Sequence, residues 1–210
     1  MLTMGSYTTV EILRILRGRL LPVEQADERS AEVLGRRVGV RPAAVLVPLF
    51  DKEGEACLAF IRRASTLRAH SGEIAFPGGG ADPGDPSVVM TALREAQEEI
   101  GLDPARVEVL GALAPVFTSV SNYVITPVVA FLPPGLGPLR LQASEVTEVI
   151  VAPLRALADP AIARTERWTR GGQPHIVHFY DYGPYCIWGA TGRMLNALLA
   201  TLEVGETPTG

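Results

Sequence analysis

Cysteine is nearly absent from this sequence: Cys57 and Cys186 are the only two in 210 residues. Two thiols so far apart do not make a disulfide framework, and they point to reduced thiols in a cytoplasm. Positive charge is short as well. Nineteen Lys and Arg stand against 23 Asp and Glu, a net charge of −4, which leaves no basic footprint for nucleic acid. No apolar run reaches membrane-spanning length. No basic segment followed by a long apolar one marks the N-terminus as a signal peptide. There is no internal repeat and no long low-complexity tract. Several chemistry-bearing motifs are missing too. There is no Gly-x4-Gly-Lys-[Ser/Thr] phosphate loop and no serine nucleophile elbow. Gly78-x-Gly80 lacks the third glycine of the dinucleotide fingerprint, because Pro83 stands there. His175 and His178 lie three apart in a predicted strand, so they point to opposite faces and make no metal pair.

What remains is a chain that is 47% hydrophobic and 20% charged, enough to bury the core of one domain. Residues 1–38 read as an N-terminal helical extension, and residues 39–210 as the domain proper. Thr8 or Thr9 is placed to cap a helix through Val10, Ile12, Leu13 and Leu16, which Pro22 stops. A second helix is expected from about Ala26 to Gly35. The run Ala43–Phe50, the turn Asp51–Gly54 and the run Glu55–Ile61 predict a hairpin. Val107–Leu113, Tyr123–Phe131 and Val146–Val151 predict further strands, with Pro127 pointing to an edge or a bulge. Leu154–Ala158 predicts a short helix. A late hairpin is expected around Asp181–Pro184, then an amphipathic helix over about 190–204. Cys57 alternates within an apolar strand and is expected in the core. Mixed strands and helices argue for a layered α/β sandwich.

The informative stretch runs from Gly78 to Gly101. Gly78-Gly79-Gly80 and a turn lead into a predicted helix, with Asp85 as its cap, Pro86 at its first position and Gly101 at its end. Val89, Ala92, Leu93, Ala96 and Ile100 share the face to be buried. Glu95, Glu98 and Glu99 lie on the other side, at spacings of three and four, so their carboxylates converge. Like charges so placed repel unless something neutralises them, and Arg94 is not placed to offset all three. A hard cation bound by oxygen ligands, Mg2+ or Mn2+, suits them better than zinc. The bare backbone of the glycines lets a phosphate approach closely.

These residues resemble a known family. Arg94-Glu95-x-x-Glu98-Glu99-x-Gly101-Leu102 after Gly78-Gly79 is similar to the signature box of the Nudix hydrolases. The sequence departs from that pattern in three places. Asp85 stands where Glu is usual, eight residues rather than seven separate it from Arg94, and Ala96 replaces a bulkier aliphatic. Upstream, Arg63, Ala64, Arg68, Gly72 and Phe76-Pro77-Gly78-Gly79 keep the spacing of the segment that marks the coenzyme A pyrophosphatase branch, although Ala59-Phe60-Ile61 departs from its opening triplet. Together the two resemblances span about residues 40–155.

The resemblance implies an α/β/α sandwich, with the glutamate helix against a mixed sheet. It implies metal-dependent hydrolysis of the diphosphate of coenzyme A, giving adenosine 3′,5′-bisphosphate and 4′-phosphopantetheine. The implied metal ligands are Glu95, Glu98 and Glu99. Glu145, ranked above Glu148, would complete the shell or act as base. Arg63 and Arg68, with Gly78 and Gly79, would support or contact the substrate. The partner expected is a small molecule, with neither nucleic acid nor membrane. Two other readings stand beside this one: a Nudix diphosphatase for ADP-ribose or another nucleoside diphosphate derivative, and a non-catalytic binding module of the same fold.

Overall fold

The computed structural model describes residues 7–65, 72–170 and 172–203. Two helices open the chain, α1 (Thr9–Arg19) and α2 (Val23–Gly35), followed by β1 (Arg41–Lys52) and β2 (Glu55–Arg63). Short strands β3 (Ile74–Ala75) and β4 (Gly78–Gly80) lead to α3 (Val88–Ile100). Next come β5 (Glu108–Ala112), β6 (Val116–Thr118), β7 (Tyr123–Phe131) and β8 (Val146–Pro153). Helix α4 (Leu154–Leu157), strands β9 (Ala163–Arg170), β10 (Gln173–Tyr182) and β11 (Tyr185–Ile187), and α5 (Gly189–Glu203) complete the order.

Eight strands form one mixed sheet with the central order β3-β2-β1-β7-β5; β4 pairs with β1, β6 with β7 and β8 with β2. The β1–β7 pairing is parallel, and the other ladders of this sheet are antiparallel. Strand alternation divides the apolar residues of β1 between two layers. Ala44, Leu46 and Phe50 pack with Ala92, Ala96 and Ile100 of α3. Val45, Val47 and Leu49 pack in the opposite layer with Ile12, Leu13 and Leu16 of α1 and Leu195, Leu198 and Leu202 of α5. Helices thus cover both faces of a mixed sheet, the architecture that the resemblance implies. A second sheet has the order β11-β10-β9, and its Tyr180 and Ile187 pack into the same core layer as Val45 and Val47.

Local chemistry explains the helix ends. Thr8 caps α1 in a reciprocal box with Glu11. Helix α2 starts three residues earlier than expected, directly after Pro22. Gly101 closes α3 in the left-handed conformation (φ +70°), and a Cβ there would meet Arg140 N at 3.0 Å. The start of α3 corrects an expectation. Its cap is Ser87, whose side chain accepts from Met90 N–H, so neither Asp85 nor Pro86 begins the helix. Asp27 of α2 accepts the next free amide, Val88 N–H, at 3.0 Å.

Pro127 is not at an edge, because β7 is an inner strand and Pro127 sits opposite Val45 of β1; it lies beside a one-residue shift in register between the β5 and β6 ladders, the irregularity expected there. Its carbonyl accepts from Leu113 N–H, in the gap between the ladders of β5 and β6. The missing N–H therefore falls where no ladder partner is needed. Cys57 is buried, as expected, and both cysteines are free.

Candidate active site

The site is built where β4 crosses the side of α3. One turn of helix is 3.6 residues, so Thr91, Glu95 and Glu99 form a stripe beside the buried Ala92, Ala96 and Ile100. That stripe meets β4. Glu99, expected on the open side of the helix, is in fact buried, with its side chain only 2% exposed. Gly78 N–H donates to its Oε2 at 2.9 Å, and Arg63 Nη1 stands 3.7 Å from its Oε1. Burial pushes its carboxyl up to about 7 against the amide and Arg63, and the nearby charges of Glu95 and Glu145 push the same way. The Glu95 side chain is 15% exposed, and burial raises its carboxyl too. A Cβ on Gly79 would lie 2.5 Å from that carboxylate, so glycine is required for the close approach.

Glu98 lies about 100° round the helix from Glu99. Its side chain is 59% exposed, and it binds Arg94 rather than facing β4. Arg94 is the hub on this flank. It donates to Asp85 through Nη2 (2.9 Å), to Glu95 Oε1 (2.9 Å), to Glu98 Oε2 (3.2 Å) and to the Gly80 carbonyl (2.9 Å). Asp85 also accepts from Thr91 Oγ1 and from Asp82 N–H. The Arg94 guanidinium holds the Asp85 carboxyl down at about 2. Asp85 is thus an anchor that fixes Arg94 and the loop before α3.

A cavity of about 460 Å³ opens in front of this junction. Arg63, Glu95, Glu99, Glu145 and the three glycines of β4 line one part of it. Tyr123, Ile125, Trp188 and Met194 line another. The structure therefore brings Arg63, Gly78, Gly79, Glu95, Glu99 and Glu145 together and leaves Glu98 beside them on the outer flank. Glu145 is exposed, at the start of β8, where its carbonyl accepts from Ala64 N–H. Glu148 is turned away and accepts from Tyr185 Oη. Arg68 lies outside the described residues. Tyr123 and Trp188 escaped the sequence reading, since a lone aromatic at a strand end carries no spacing signal. Ser87 as cap was available in the sequence, directly before the apolar pair Val88-Val89.

Among the described residues no group of three or more Asp, Glu, His or Cys side chains already surrounds a common point. Arg94 draws Glu95 and Glu98 to itself. The donors nevertheless suit a hard cation. Glu95 and Glu99 present only oxygen to one cavity, Glu99 buried and Glu95 half-buried, and burial raises both carboxyls. Mg2+ commonly takes one or two carboxylates and leaves its other positions to water and substrate phosphates.

A profile of the family described as NUDIX domain matches residues 40–172. A protein of Photorhabdus laumondii named uncharacterized Nudix hydrolase NudL is 42% identical over 164 residues, covering 78% of this chain and 86% of that protein. A Cronobacter sakazakii protein of the same name is 40% identical over 168 residues, covering 80% and 85%. The crystal structure of a NUDIX hydrolase from Alicyclobacillus acidocaldarius aligns with a TM-score of 0.50 at 23% identity, over 77% of this chain and 91% of that one, and speaks for the fold alone.

Proposed function

We infer, from the premise that this chain belongs to the Nudix hydrolase family, that it hydrolyses the diphosphate bond of coenzyme A or a close derivative with the help of Mg2+ or Mn2+. The observation that supports this most is the closure of one segment around one carboxylate. The Arg63–Gly79 stretch, whose spacing resembles the coenzyme A branch, engages Glu99 from both ends, through Arg63 at 3.7 Å and Gly78 N–H at 2.9 Å.

A diphosphate resists attack because its own negative charge repels water. Glu95 and Glu99, with Glu98 at the flank, would hold the metal. When bound, the metal offsets the charge of the diphosphate oxygens and acidifies a water. The residues of the chain do the rest. Gly78 and Gly79 leave the backbone bare, so phosphate oxygens approach without meeting a side chain. Arg63 offers a cation to the substrate from the cavity wall. Among the described residues its buried Nε has no hydrogen-bond partner. Glu145, exposed and facing the same cavity, is the group in this chain best placed to take a proton from the attacking water. Rigid strand and helix carry these groups, so little reorganisation accompanies the reaction.

Comparing kcat/KM for coenzyme A and ADP-ribose at one Mg2+ concentration, with products identified by mass, tests the reading. Coenzyme A is expected to be cleaved much faster, giving 4′-phosphopantetheine. A preference for ADP-ribose would overturn the branch and leave the diphosphatase reading intact. Loss of turnover by orders of magnitude in Glu99→Gln is expected on either substrate. Near-parental turnover in that variant would remove Glu99 from the site.

A further inference from the structure

Seven arginines of the described chain (Arg17, Arg36, Arg62, Arg63, Arg94, Arg155 and Arg164) are engaged by carboxylates. Arg41 is not. Among the described residues it has no carboxylate partner; its guanidinium carbon instead lies 4.2 Å from the centroid of the Tyr123 ring. Tyr123 lines the cavity, and its hydroxyl reaches towards Gly80. Arg41 and Tyr123 are register partners at the first positions of β1 and β7. Ala43 and Val45, two and four residues along β1, line the cavity, and strand alternation puts Arg41 on their face. An exposed, unpaired cation therefore stands at the cavity's edge on an aromatic that forms its wall. Gly79, which Glu95 touches, pairs with Ala44, about 10 Å along β1 from Arg41 at the usual strand rise.

We propose that Arg41, held by the Tyr123 ring, binds the 3′-phosphate of the substrate's adenosine and so sets specificity for 3′-phosphorylated diphosphates. The inference rests on the coenzyme A reading above. The carboxylate end of the cavity sets Glu95, Glu99 and Glu145 against Arg63, so it is net anionic until metal binds. A second phosphate remote from the scissile bond needs a permanent cation elsewhere, and Arg41 is permanently charged. Stacking fixes the plane of the guanidinium and leaves its N–H edges free for a phosphate. Arg37 is the natural control. It also lies over a ring, that of Phe117, at 3.9 Å. Phe117 alternates with Val116 and Thr118 and belongs to the face of β6 turned from the cavity.

The test compares kcat/KM for coenzyme A and for 3′-dephospho-coenzyme A in the parent, Arg41→Gln and Arg37→Gln proteins. The parent is expected to favour coenzyme A by about tenfold to a hundredfold, the range of one or two charge-assisted hydrogen bonds. Arg41→Gln should bring that ratio close to one, and Arg37→Gln should keep it. Adenosine 3′,5′-bisphosphate should inhibit the parent more strongly than AMP does, and Arg41→Gln should lose the difference. A parent that cleaves both substrates equally, or an Arg41→Gln protein that keeps the ratio, overturns the inference while the coenzyme A reading stands. A parent that cleaves neither overturns both.

Discussion

At the scale of single residues, the carboxylates of this site differ because their surroundings differ. Glu99 and Glu95 are pushed up by burial, whereas Asp85 is pulled down by Arg94. Asp85 is the position at which the sequence departs from the family pattern and at which a helix cap was expected. Asn caps nearly as well as Asp, so a cap would tolerate Asp85→Asn. As the charged anchor of Arg94, Asp85 should not. The variant is expected to lose about 1.5–3 kcal/mol at pH 7, the range for hydrogen bonds to charged groups. The sign of the pH effect follows from the depressed carboxyl. Asp85's contribution is complete above its unfolded value of 3.8 and is lost as pH falls through about 2. Denaturant melts of parent and variant should therefore differ by a constant amount from pH 7 to 5 and converge below 3.8. A gap that is small at pH 7, or unchanged at pH 3, would return Asp85 to a capping role. The three box glutamates were legible because their spacing is a property of the helix itself. The burial of Glu99 was not, because it depends on where β4 passes.

At the scale of elements, β4 is the instructive case. Gly78-Gly79-Gly80 has no strand propensity, and a glycine-rich loop was the natural reading of it. It is a strand because β1 offers it a ladder. The two critical glycines are excluded from change for different reasons, which separates stability from function. On Gly78 a Cβ would lie 2.4 Å from Ala44 O and 2.5 Å from Val45 Cα. Backbone cannot give way, so Gly78→Ala should part β4 from β1 at a cost of about 3 kcal/mol or more. On Gly79 the Cβ meets the far end of the Glu95 side chain, which can swing aside. Gly79→Ala should stay within about 1 kcal/mol of the parent in stability and lose a hundredfold or more in turnover, because Glu95 is displaced. Equal melting temperatures for the two variants would contradict this division. The strands that were legible, β1, β2, β5, β7, β8, β10 and β11, carry apolar runs or alternation. Strand β9 was missed because Ala163–Thr169 is exposed throughout, so no face of it is marked by burial. Pairing with β10 alone makes it a strand.

At the scale of the whole molecule, the charged end of the site draws on positions from 63 to 145 that the mixed sheet brings together, and its elements are braced by residues outside the family match. The NUDIX match begins at residue 40, yet α1 and α2 are built into the same body. Asp27 holds the first amide of α3, the helix that carries the glutamates. Leu16 is fully buried in the layer beneath β1, with Ile12 and Leu13 beside it. Sequence periodicity showed that these residues form one helical face, but it could not show what the face covers. An extension that merely flanked the domain would tolerate Leu16→Ala. As part of the core, Leu16 should cost about 2–5 kcal/mol when truncated, through lost burial and the cavity left behind. For a protein of this size that is a fall in melting temperature of roughly 4–20 °C. Leu16 does not itself line the cavity, so kcat on coenzyme A, measured well below the melting temperature, should stay within about twofold of the parent. A melting temperature unchanged to within about 2 °C would show that α1 rests on the domain without supporting it. A large fall in kcat with the fold intact would show that the α1 layer also sets the geometry of the carboxylates on the far side of the sheet.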